Sequence, residues 1–152
     1  MSRYMNLIGQ NAKKASLEKV NTSVKNKILK RYALLLDKEK NYIFKANTKD
    51  IKFALKKGLK NSLIDRLAID QKKLDIIKNS INKIIKLKDP VDNTLEKWSR
   101  PNGLKIKRVS IPIGVIGVIY ESRPNVTSDV ASLCFKSGNA VILKGGSEAI
   151  NT

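Results

Sequence analysis

Apolar positions in the first part of the chain recur with the period of an α-helix. They are spaced three or four residues apart in successive segments, which predicts a series of amphipathic helices. Ser23 is expected to cap one helix, and Gly58 to end another in the left-handed conformation that glycine favours. Asp70 is expected to cap the last helix, whose inward positions are Leu74, Ile77, Ile81, Ile84 and Ile85. We therefore predict that residues 1–89 form a helical region.

The period changes after Pro90, where strand patterns replace helical ones. The segments "TLEKWSR" and "LKIKRVSI" flank the turn residues "PNG", which predicts a β-hairpin. The run "IGVIGVIY" is continuously apolar, as in a parallel strand that is buried on both faces. A helix is predicted next, with Asn125 or Thr127 at its start and Gly138 at its end, and "NAVILK" follows as a second buried strand. Residues 90–152 thus end in a βαβ unit, whose crossover rule makes the strands parallel.

The ends of these two strands carry the candidate ligand-binding residues. In sheets of this kind, ligands bind beyond the carboxyl ends of the strands. Those ends carry "YESR" at 120–123 and "KGGS" at 144–147. The spacing matches neither the usual dinucleotide fingerprint nor a P-loop. From the pattern alone, the glycines either admit a ligand to the backbone or only allow close packing, and Lys144 either meets an anion or is simply solvated.

Composition narrows the class of protein. A single cysteine, Cys134, excludes an internal disulfide and fits a reducing compartment, so we expect a cytoplasmic protein. The chain has no histidine, which excludes a histidine-based catalytic pair, and we expect no metal site. The first ten residues contain no apolar stretch typical of a signal peptide. The longest apolar run is well short of the roughly 20 residues that span a bilayer, so we expect no membrane segment.

The net charge of +18 has two explanations. One is an anionic partner, either nucleic acid or a lipid surface. The other is A/T-rich codon usage, because lysine, asparagine and isoleucine are all abundant. Arginine, the residue type that favours bidentate phosphate contacts, is scarce, and the lysines are spread along every helix without interleaved aromatic residues. We favour the second explanation and expect no nucleic-acid partner.

Several quoted motifs together suggest a known family. The segment "PIGVIGVIYESRPNVTSDVASLCFKSGNAVILKGGSEA" resembles the gamma-glutamyl phosphate reductase family, also called glutamate-5-semialdehyde dehydrogenases, within the aldehyde dehydrogenase superfamily. The segments "ANTKDIKFALKKGLKNSLIDRLAI", "KDPV" and "WSRPNGLKIKRVSIPIGVIGVIYE" are similar to earlier parts of the same family. The motifs "YESRPNVT" and "GNAVILKGG" separate this family from ordinary aldehyde dehydrogenases. The resemblance therefore covers nearly the whole chain.

The resemblance implies a truncated α/β fold. Its expected parts are N-terminal helices, a β-hairpin, and the first βαβ unit of a Rossmann-like NADP-binding domain, which residues 90–152 begin. Family members are far longer, so we expect an N-terminal fragment that lacks the catalytic domain and its nucleophilic cysteine. Cys134 does not match the family's nucleophile motif and lies among apolar positions, where cysteine acts as a small hydrophobic residue. The resemblance therefore implies no catalytic residue in this chain.

The implied reaction is the NADPH-dependent reduction of L-glutamyl 5-phosphate to glutamate 5-semialdehyde in proline biosynthesis. A thiolate displaces phosphate to form a thioester, and hydride transfer then releases the aldehyde. Thiolate attack builds an oxyanion that needs hydrogen-bond donors. Arg123 and Asn125 are the candidates for contact with the substrate or the oxyanion, although Asn125 is equally suited to cap the following helix. Arg123 is expected to bind an anionic group, and its alternative role is a surface ion pair with Glu121.

The resemblance also implies the cofactor-binding residues, which are Tyr120, Ser122, Lys144 and Ser147. In the wider superfamily, the lysine that ends this strand contacts the adenosine ribose, and an acidic residue three positions later often binds the ribose hydroxyls. Ser147 stands at that position here, which favours NADP(H), because a hydroxyl donates to a phosphate oxygen and a carboxylate repels it. If the two glycines shift the register, Glu148 reaches the ribose instead and NAD(H) is favoured.

Two other functions remain open from the sequence. One is a small basic module that binds nucleic acid or anionic lipid, and the other is a non-catalytic remnant of the dehydrogenase. The complete enzyme is expected to be a homo-oligomer. The strands of the βαβ unit also require sheet neighbours that the chain does not encode, so we expect the chain alone to associate or to be poorly soluble.

Overall fold

The structure is a computed structural model that describes residues 2–121 and 123–152. Five helices precede two strand pairs, and a sixth helix connects the strands of the second pair. In chain order, the elements within these described residues are α1 (Arg3–Ser16), α2 (Thr22–Lys38), α3 (Lys40–Lys56), α4 (Asn61–Leu67), α5 (Gln71–Lys86), β1 (Thr94–Ser99), β2 (Lys105–Val109), β3 (Val115–Ile119), α6 (Pro124–Lys136) and β4 (Ala140–Lys144). A 3₁₀ turn follows at Ser147–Ala149. The α/β class predicted from the sequence is confirmed.

Capping side chains mark the starts of α2 and α5. The carboxylate of Asp70 accepts a hydrogen bond from the Lys73 amide at 2.7 Å, which confirms the predicted cap of α5. The prediction of Ser23 as the cap of α2 is wrong. Asn21 fills that position, and its side chain accepts from the Val24 amide at 2.9 Å. Asparagine and serine are both good capping residues. Ser23 lies inside the first helical turn, whereas Asn21 precedes it, so the oxygen of Asn21 reaches the free amides.

Glycines end two helices in the same way. Gly58 follows α3 with φ 68° and Gly138 follows α6 with φ 73°, as expected for residues in the left-handed C′ conformation. After α6, the Asn139 amide donates to the Cys134 carbonyl at 2.8 Å and the Gly138 amide to the Phe135 carbonyl at 3.1 Å. This pair of bonds is a Schellman motif, and it turns the chain directly into β4.

The main hydrophobic core lies where α2, α5 and α6 meet. Its fully buried members are two residues of α2 and three of α5, and Phe135 of α6 packs against them. These core residues are Leu29, Ala33, Ile77, Ile81 and Ile84. The inward positions predicted for α5 are therefore confirmed, apart from Ile85, which is only partly buried. The N-terminal helices and the βαβ unit share this core.

Two buried lysines connect elements around that core. Lys25 of α2 is 2% exposed, and its ammonium lies 2.9 Å from the Asp89 carboxylate in the segment that leads to the strands. Lys136 of α6 is 3% exposed and donates to the Asn26 side chain at 2.6 Å and to the Ile85 carbonyl at 3.0 Å. Because a buried ammonium must be satisfied by hydrogen bonds, each lysine fixes the relative position of the elements it connects.

The strands form two separate pairs. β1 and β2 are antiparallel and confirm the hairpin. β3 and β4 are parallel, with Val115 opposite Ala140 and Ile119 opposite Lys144, which confirms the βαβ unit. The prediction that β3 is buried on both faces is wrong, since Ile119 is 81% exposed and alternate positions along the strand are open. With only β4 beside it in the described structure, the strand is covered mainly on one face.

Candidate functional site

The carboxyl ends of β3 and β4 meet at one edge, as the sequence predicts. The Tyr120 amide donates to the Lys144 carbonyl at 3.1 Å, so the pairing continues one residue past β3. The segment after β3 and the segment after β4 therefore leave the sheet side by side. This edge brings Tyr120 next to Lys144 and Gly145, which are three positions that the sequence analysis singled out.

Tyr120 joins three elements at this edge. Its hydroxyl lies 2.6 Å from the Thr127 hydroxyl in α6. A Cβ atom added to Gly145 would lie 3.4 Å from the Tyr120 ring, which is an ordinary van der Waals distance, so the ring lies beside this glycine. Thr127 is thus a partner of Tyr120 and not the first residue of the helix.

Lys144 and Ser147 are both exposed at the same edge. Lys144 is the last residue of β4, and Ser147 opens the 3₁₀ turn that follows the two glycines. The Ser147 hydroxyl donates to the Glu148 carboxylate at 3.3 Å. The hydrogen-bond donors at this edge are therefore the Lys144 ammonium and the hydroxyls of Tyr120 and Ser147. The Glu148 carboxylate lies close to Ser147. Ser122, the other predicted cofactor residue, lies outside the described residues.

Arg123 and Asn125 line a cleft of about 460 Å³ between the α4–α5 junction and the start of α6. Its other lining residues are Asp65, Arg66, Ala68, Ile69, Lys73, Ile76, Ile77 and Pro124. Helix α6 begins at Pro124, and Arg123 occupies the cap position without a capping side-chain bond. Asn125 therefore lies inside the first turn, and the alternative in which it caps the helix is wrong. Proline at the first helical position sets this start, because its ring fixes φ and it has no amide to satisfy.

The alternative role of Arg123, a surface ion pair with Glu121, is not seen among the described residues. Glu121 instead lies 3.6 Å from the guanidinium of Arg66 in α4. Both side chains of this pair are largely exposed, so the contact contributes little to stability. The Lys73 ammonium is bound to the backbone carbonyls of Asp65 and Ala68, which fixes the wall of the cleft.

A smaller cavity of about 320 Å³ lies between α4 and the loop after β4. Its lining includes Arg66, Glu121, Gly146 and Glu148. Arg66 borders both cavities, so the cleft with Arg123 and Asn125 is a neighbour of the loop with Ser147. Sequence reasoning missed Arg66, because its partner Glu121 is distant along the chain and no periodic pattern connects the two.

Two buried polar residues of α3 also reach this region. Asp50 and Asn47 are each 1% exposed, and both bind residues 151–152 at the end of the segment that follows β4. Sequence reasoning missed these two as well. The only signal was a pair of polar residues one helical turn apart on the face that carries Ala46 and Ala54.

Cys134 is buried in α6, as predicted. Burial raises the pKa of its thiol, because a thiolate is poorly solvated in apolar surroundings. The group is therefore a neutral thiol at physiological pH, which suits a core residue and not a nucleophile. None of the helices formed by residues 2–121 and 123–152 has both the length and the hydropathy to cross a membrane.

Comparison with known proteins finds relatives that are similar over nearly the whole chain. No protein-family model matches the chain. A gamma-glutamyl phosphate reductase of Clostridium botulinum (strain Alaska E43 / Type E3) is 47% identical over 148 residues, which are 96% of this chain and 36% of that protein. Another, from Nautilia profundicola, is 51% identical over 131 residues, covering 86% of this chain and 32% of the relative.

Solved structures give the same result. The crystal structure of gamma-glutamyl phosphate reductase from Thermotoga maritima superposes with a TM-score of 0.90 at 44% identity, covering 93% of this chain and 35% of that one. The enzyme of that name from Saccharomyces cerevisiae gives a TM-score of 0.92 at 35% identity, covering 99% of this chain and 39% of that one. The chain spans about one third of the length of these relatives. Identity along nearly the whole chain and a shared fold together place it in the gamma-glutamyl phosphate reductase family.

Proposed function

We propose that the chain forms part of an NADP(H)-dependent gamma-glutamyl phosphate reductase, which reduces L-glutamyl 5-phosphate to L-glutamate 5-semialdehyde in proline biosynthesis. The observation that carries this proposal is the carboxyl edge of β3 and β4. There, Lys144 and Tyr120 leave adjacent parallel strands side by side. Cofactors bind at this edge in doubly wound sheets. The likeness to reductases in both sequence and fold supports the choice of reaction.

The residues at the edge fit an anionic dinucleotide. Lys144 supplies a positive charge, and the hydroxyls of Tyr120 and Ser147 are hydrogen-bond donors of the kind that phosphate oxygens accept. Ser122 is proposed as a fourth contact. Gly145 and Gly146 leave the backbone open to close approach. NADPH, when bound, supplies the hydride for the reduction, and the residues of this chain hold and orient it.

The preference for NADP(H) depends on Ser147 and Glu148. We propose that Lys144 and Ser147 contact the 2′-phosphate, for which Ser147 must exchange its bond with Glu148 for a bond with the phosphate. The carboxylate of Glu148 is the alternative partner for the ribose, and in that position it would favour NAD(H). Because a carboxylate repels the 2′-phosphate, the two arrangements predict opposite cofactor preferences.

The cleft beside α6 is proposed to receive the acyl phosphate. Arg123 and Asn125 line this cleft at the start of α6, and Arg66 of α4 lines it as well. The guanidinium of Arg123 is proposed to bind an anionic oxygen of the substrate, and the side-chain amide of Asn125 to donate to the oxyanion. No catalytic residue is proposed in this chain, and the nucleophilic cysteine is proposed to lie outside it. The neutral, buried thiol of Cys134 supports this view.

The complete enzyme is proposed to be a cytoplasmic homo-oligomer. The hairpin of β1 and β2 supports this, because it exposes several large apolar side chains to solvent. They are Leu95 at 56%, Trp98 at 40% and Val109 at 46% exposure. Exposed apolar surface of this kind is typical of a surface that associates. Sedimentation of the chain over a range of concentrations tests this, and a monomer at every concentration would contradict it.

Titration with NADPH tests the cofactor site. The chain contains one tryptophan, so energy transfer from Trp98 to bound NADPH reports binding. Lys144→Ala is expected to weaken binding about tenfold, because it removes one charge-assisted contact. Lys97→Ala on the hairpin is the matched control and is expected to change nothing. If Lys144→Ala binds NADPH as well as the unmodified chain does, the proposed site is wrong.

Cofactor preference gives a second test. In the complete enzyme, Ser147→Glu is expected to shift the ratio of kcat/KM for NADPH over NADH towards NADH by about tenfold or more. Ser147→Ala is the control that removes the hydroxyl without adding charge, and a smaller shift is expected. If Ser147→Glu leaves the ratio of kcat/KM unchanged, Glu148 and not Ser147 lies beside the ribose.

A further inference from the structure

Asp50 is a buried carboxylate whose partners are all hydrogen-bond donors of one short segment. It accepts from the Thr152 amide at 2.8 Å, from the Thr152 hydroxyl at 2.6 Å and from the Asn151 side-chain amide at 2.6 Å. The Asn151 backbone amide lies 3.2 Å from both carboxylate oxygens. No lysine or arginine pairs with Asp50 within the described part of the chain. Hydrogen bonds from residues 151–152 therefore compensate for the burial of this charge.

Asn47 lies one helical turn before Asp50 and binds a second segment. Its side-chain amide donates to the Leu67 carbonyl at 2.9 Å, and its oxygen accepts from the Ile69 amide at 2.8 Å. The same amide nitrogen lies 3.2 Å from the Thr152 hydroxyl. Asn47 and Asp50, together called the anchor pair, thus connect α3 to the α4–α5 junction and to residues 151–152.

Both segments that the anchor pair holds border the proposed site. Ala68 and Ile69 line the cleft that contains Arg123 and Asn125. On the other side, only Ile150 separates Asn151 from the 3₁₀ turn Ser147–Ala149, so fixing Asn151 also fixes the loop that begins at Gly145. The anchor pair lies between the wall of the substrate cleft and the loop that carries Ser147.

A purely structural role does not require this chemistry. A buried charge is costly, and an apolar side chain of similar volume at position 50 would fill the space without that cost. A carboxylate that accepts from consecutive backbone amides instead specifies the position of that backbone, because any displacement leaves a buried charge without its partners.

We propose that Asp50 and Asn47 are positioning residues that hold the loop at 145–148 in place for the cofactor, at a fixed position relative to the substrate cleft. This proposal rests on the proposed cofactor site. The anchor pair does not touch the cofactor itself but acts through the loop. In Asp50→Asn, an amide nitrogen replaces one of the two carboxylate oxygens. Some of the donors of Asn151 and Thr152 therefore lose their acceptor.

Amide hydrogen exchange of the 152-residue chain tests the anchoring without any cofactor. In Asp50→Asn, the amides of Asn151 and Thr152 are expected to exchange at least about tenfold faster, while the amides of α5 keep their protection. Asp37→Asn, which removes an exposed carboxylate from α2, is the matched control and is expected to leave residues 145–152 unchanged. Fast exchange of the Asn151 and Thr152 amides in the unmodified chain would overturn the anchoring. So would a loss of protection in Asp50→Asn that is equal along the whole chain.

A double-mutant cycle on NADPH binding tests the positioning role. Asp50→Asn is expected to weaken binding about tenfold, and Ser147→Ala is expected to have little further effect in that background. Such non-additivity is expected only if Asp50 acts through the loop that carries Ser147. Additive losses, or unchanged affinity in Asp50→Asn, would overturn the positioning role. An unmodified chain that binds no NADPH would overturn the proposed function and this cofactor role together, whereas the exchange experiment decides the anchoring separately.

Discussion

Ile81 in α5 and Ile119 in β3 are the same residue type, yet Ile81 has no exposed surface and Ile119 is 81% exposed. The difference arises from what surrounds each element. Helix α5 is enclosed by α2 and α6, which bring Leu29, Ala33 and Phe135 against it. Strand β3 pairs with β4 and leaves alternate side chains open. The helical core has its partners within this chain, whereas the described residues leave one face of the sheet open.

This contrast separates stability from function in the molecule. The buried aliphatic side chains that favour the folded state lie among the helices, because burial of apolar area is the main favourable term in folding. The residues proposed to bind the cofactor lie at the edge of the less buried sheet. Substitutions in the first region are therefore expected to lower the free energy of unfolding, and those in the second to change binding and association.

The largest effect is expected from truncation in the helical core. Ile81→Ala should lower the free energy of unfolding by about 4 kcal/mol, since it removes buried methyl groups and leaves a cavity. Ile119→Ala is the matched change on the open strand and should cost less than about 1 kcal/mol. Urea unfolding followed by circular dichroism measures both. Equal losses at the two positions would show that β3 is covered in solution, for example by association of two chains.

The buried ion pair between α2 and the segment before the strands comes next. Lys25→Met should lower the free energy of unfolding by about 3 kcal/mol, because the Asp89 carboxylate keeps its burial and loses its cation. Lys78→Met, which breaks the exposed contacts with Asp37 and Asp75, is the control and should have a much smaller effect. If the two variants unfold at the same urea concentration, burial does not strengthen the Lys25 pair.

Glycine substitutions extend the comparison to the backbone. Gly138→Ala should cost about 2 kcal/mol, because a Cβ atom is strained at positive φ. That atom would also lie 3.0 Å from Pro112 and 3.1 Å from Val91. Gly117→Ala on the open face of β3 meets no atom within 4 Å and should leave stability unchanged or slightly raised. Thermal unfolding measures the stability of both variants. A larger loss of stability in Gly117→Ala than in Gly138→Ala would contradict this account.

The smallest expected effect is the pH dependence that arises from Asp89. Burial opposes ionisation of this carboxyl, but hydrogen bonds from Lys25, the Val91 amide and Thr22 hold its pKa below the ordinary value of 3.8. The stabilisation is therefore fully present above the pKa of the unfolded chain and is lost as pH falls through the lower pKa of the folded chain. Unfolding free energies measured between about pH 5 and pH 2 should fall less steeply in Asp89→Asn than in the unmodified chain. Parallel slopes would contradict this.

The sequence by itself determined the features that depend on near neighbours along the chain. The cap at Asp70, the inward face of α5 and the turn at Gly138 follow from spacing and residue type, since the interacting groups lie within one or two helical turns. The parallel βαβ unit follows from two apolar strands with a helix between them. The cap of α2 was misplaced because Asn21 and Ser23 are both good capping residues only two positions apart, and only the backbone shows which one precedes the helix.

Only the tertiary structure decided which polar residues are buried and what they bind. The chain has 31 lysines and arginines, and nothing in the local sequence distinguishes the buried Lys25 and Lys136 from the solvated ones. In the same way, the contact of Arg66 with Glu121 and that of Asp50 with Thr152 join residues that are far apart in the sequence. Such pairs form because the fold brings their elements together and excludes water from some of them, and the free energy of each contact depends on that exclusion.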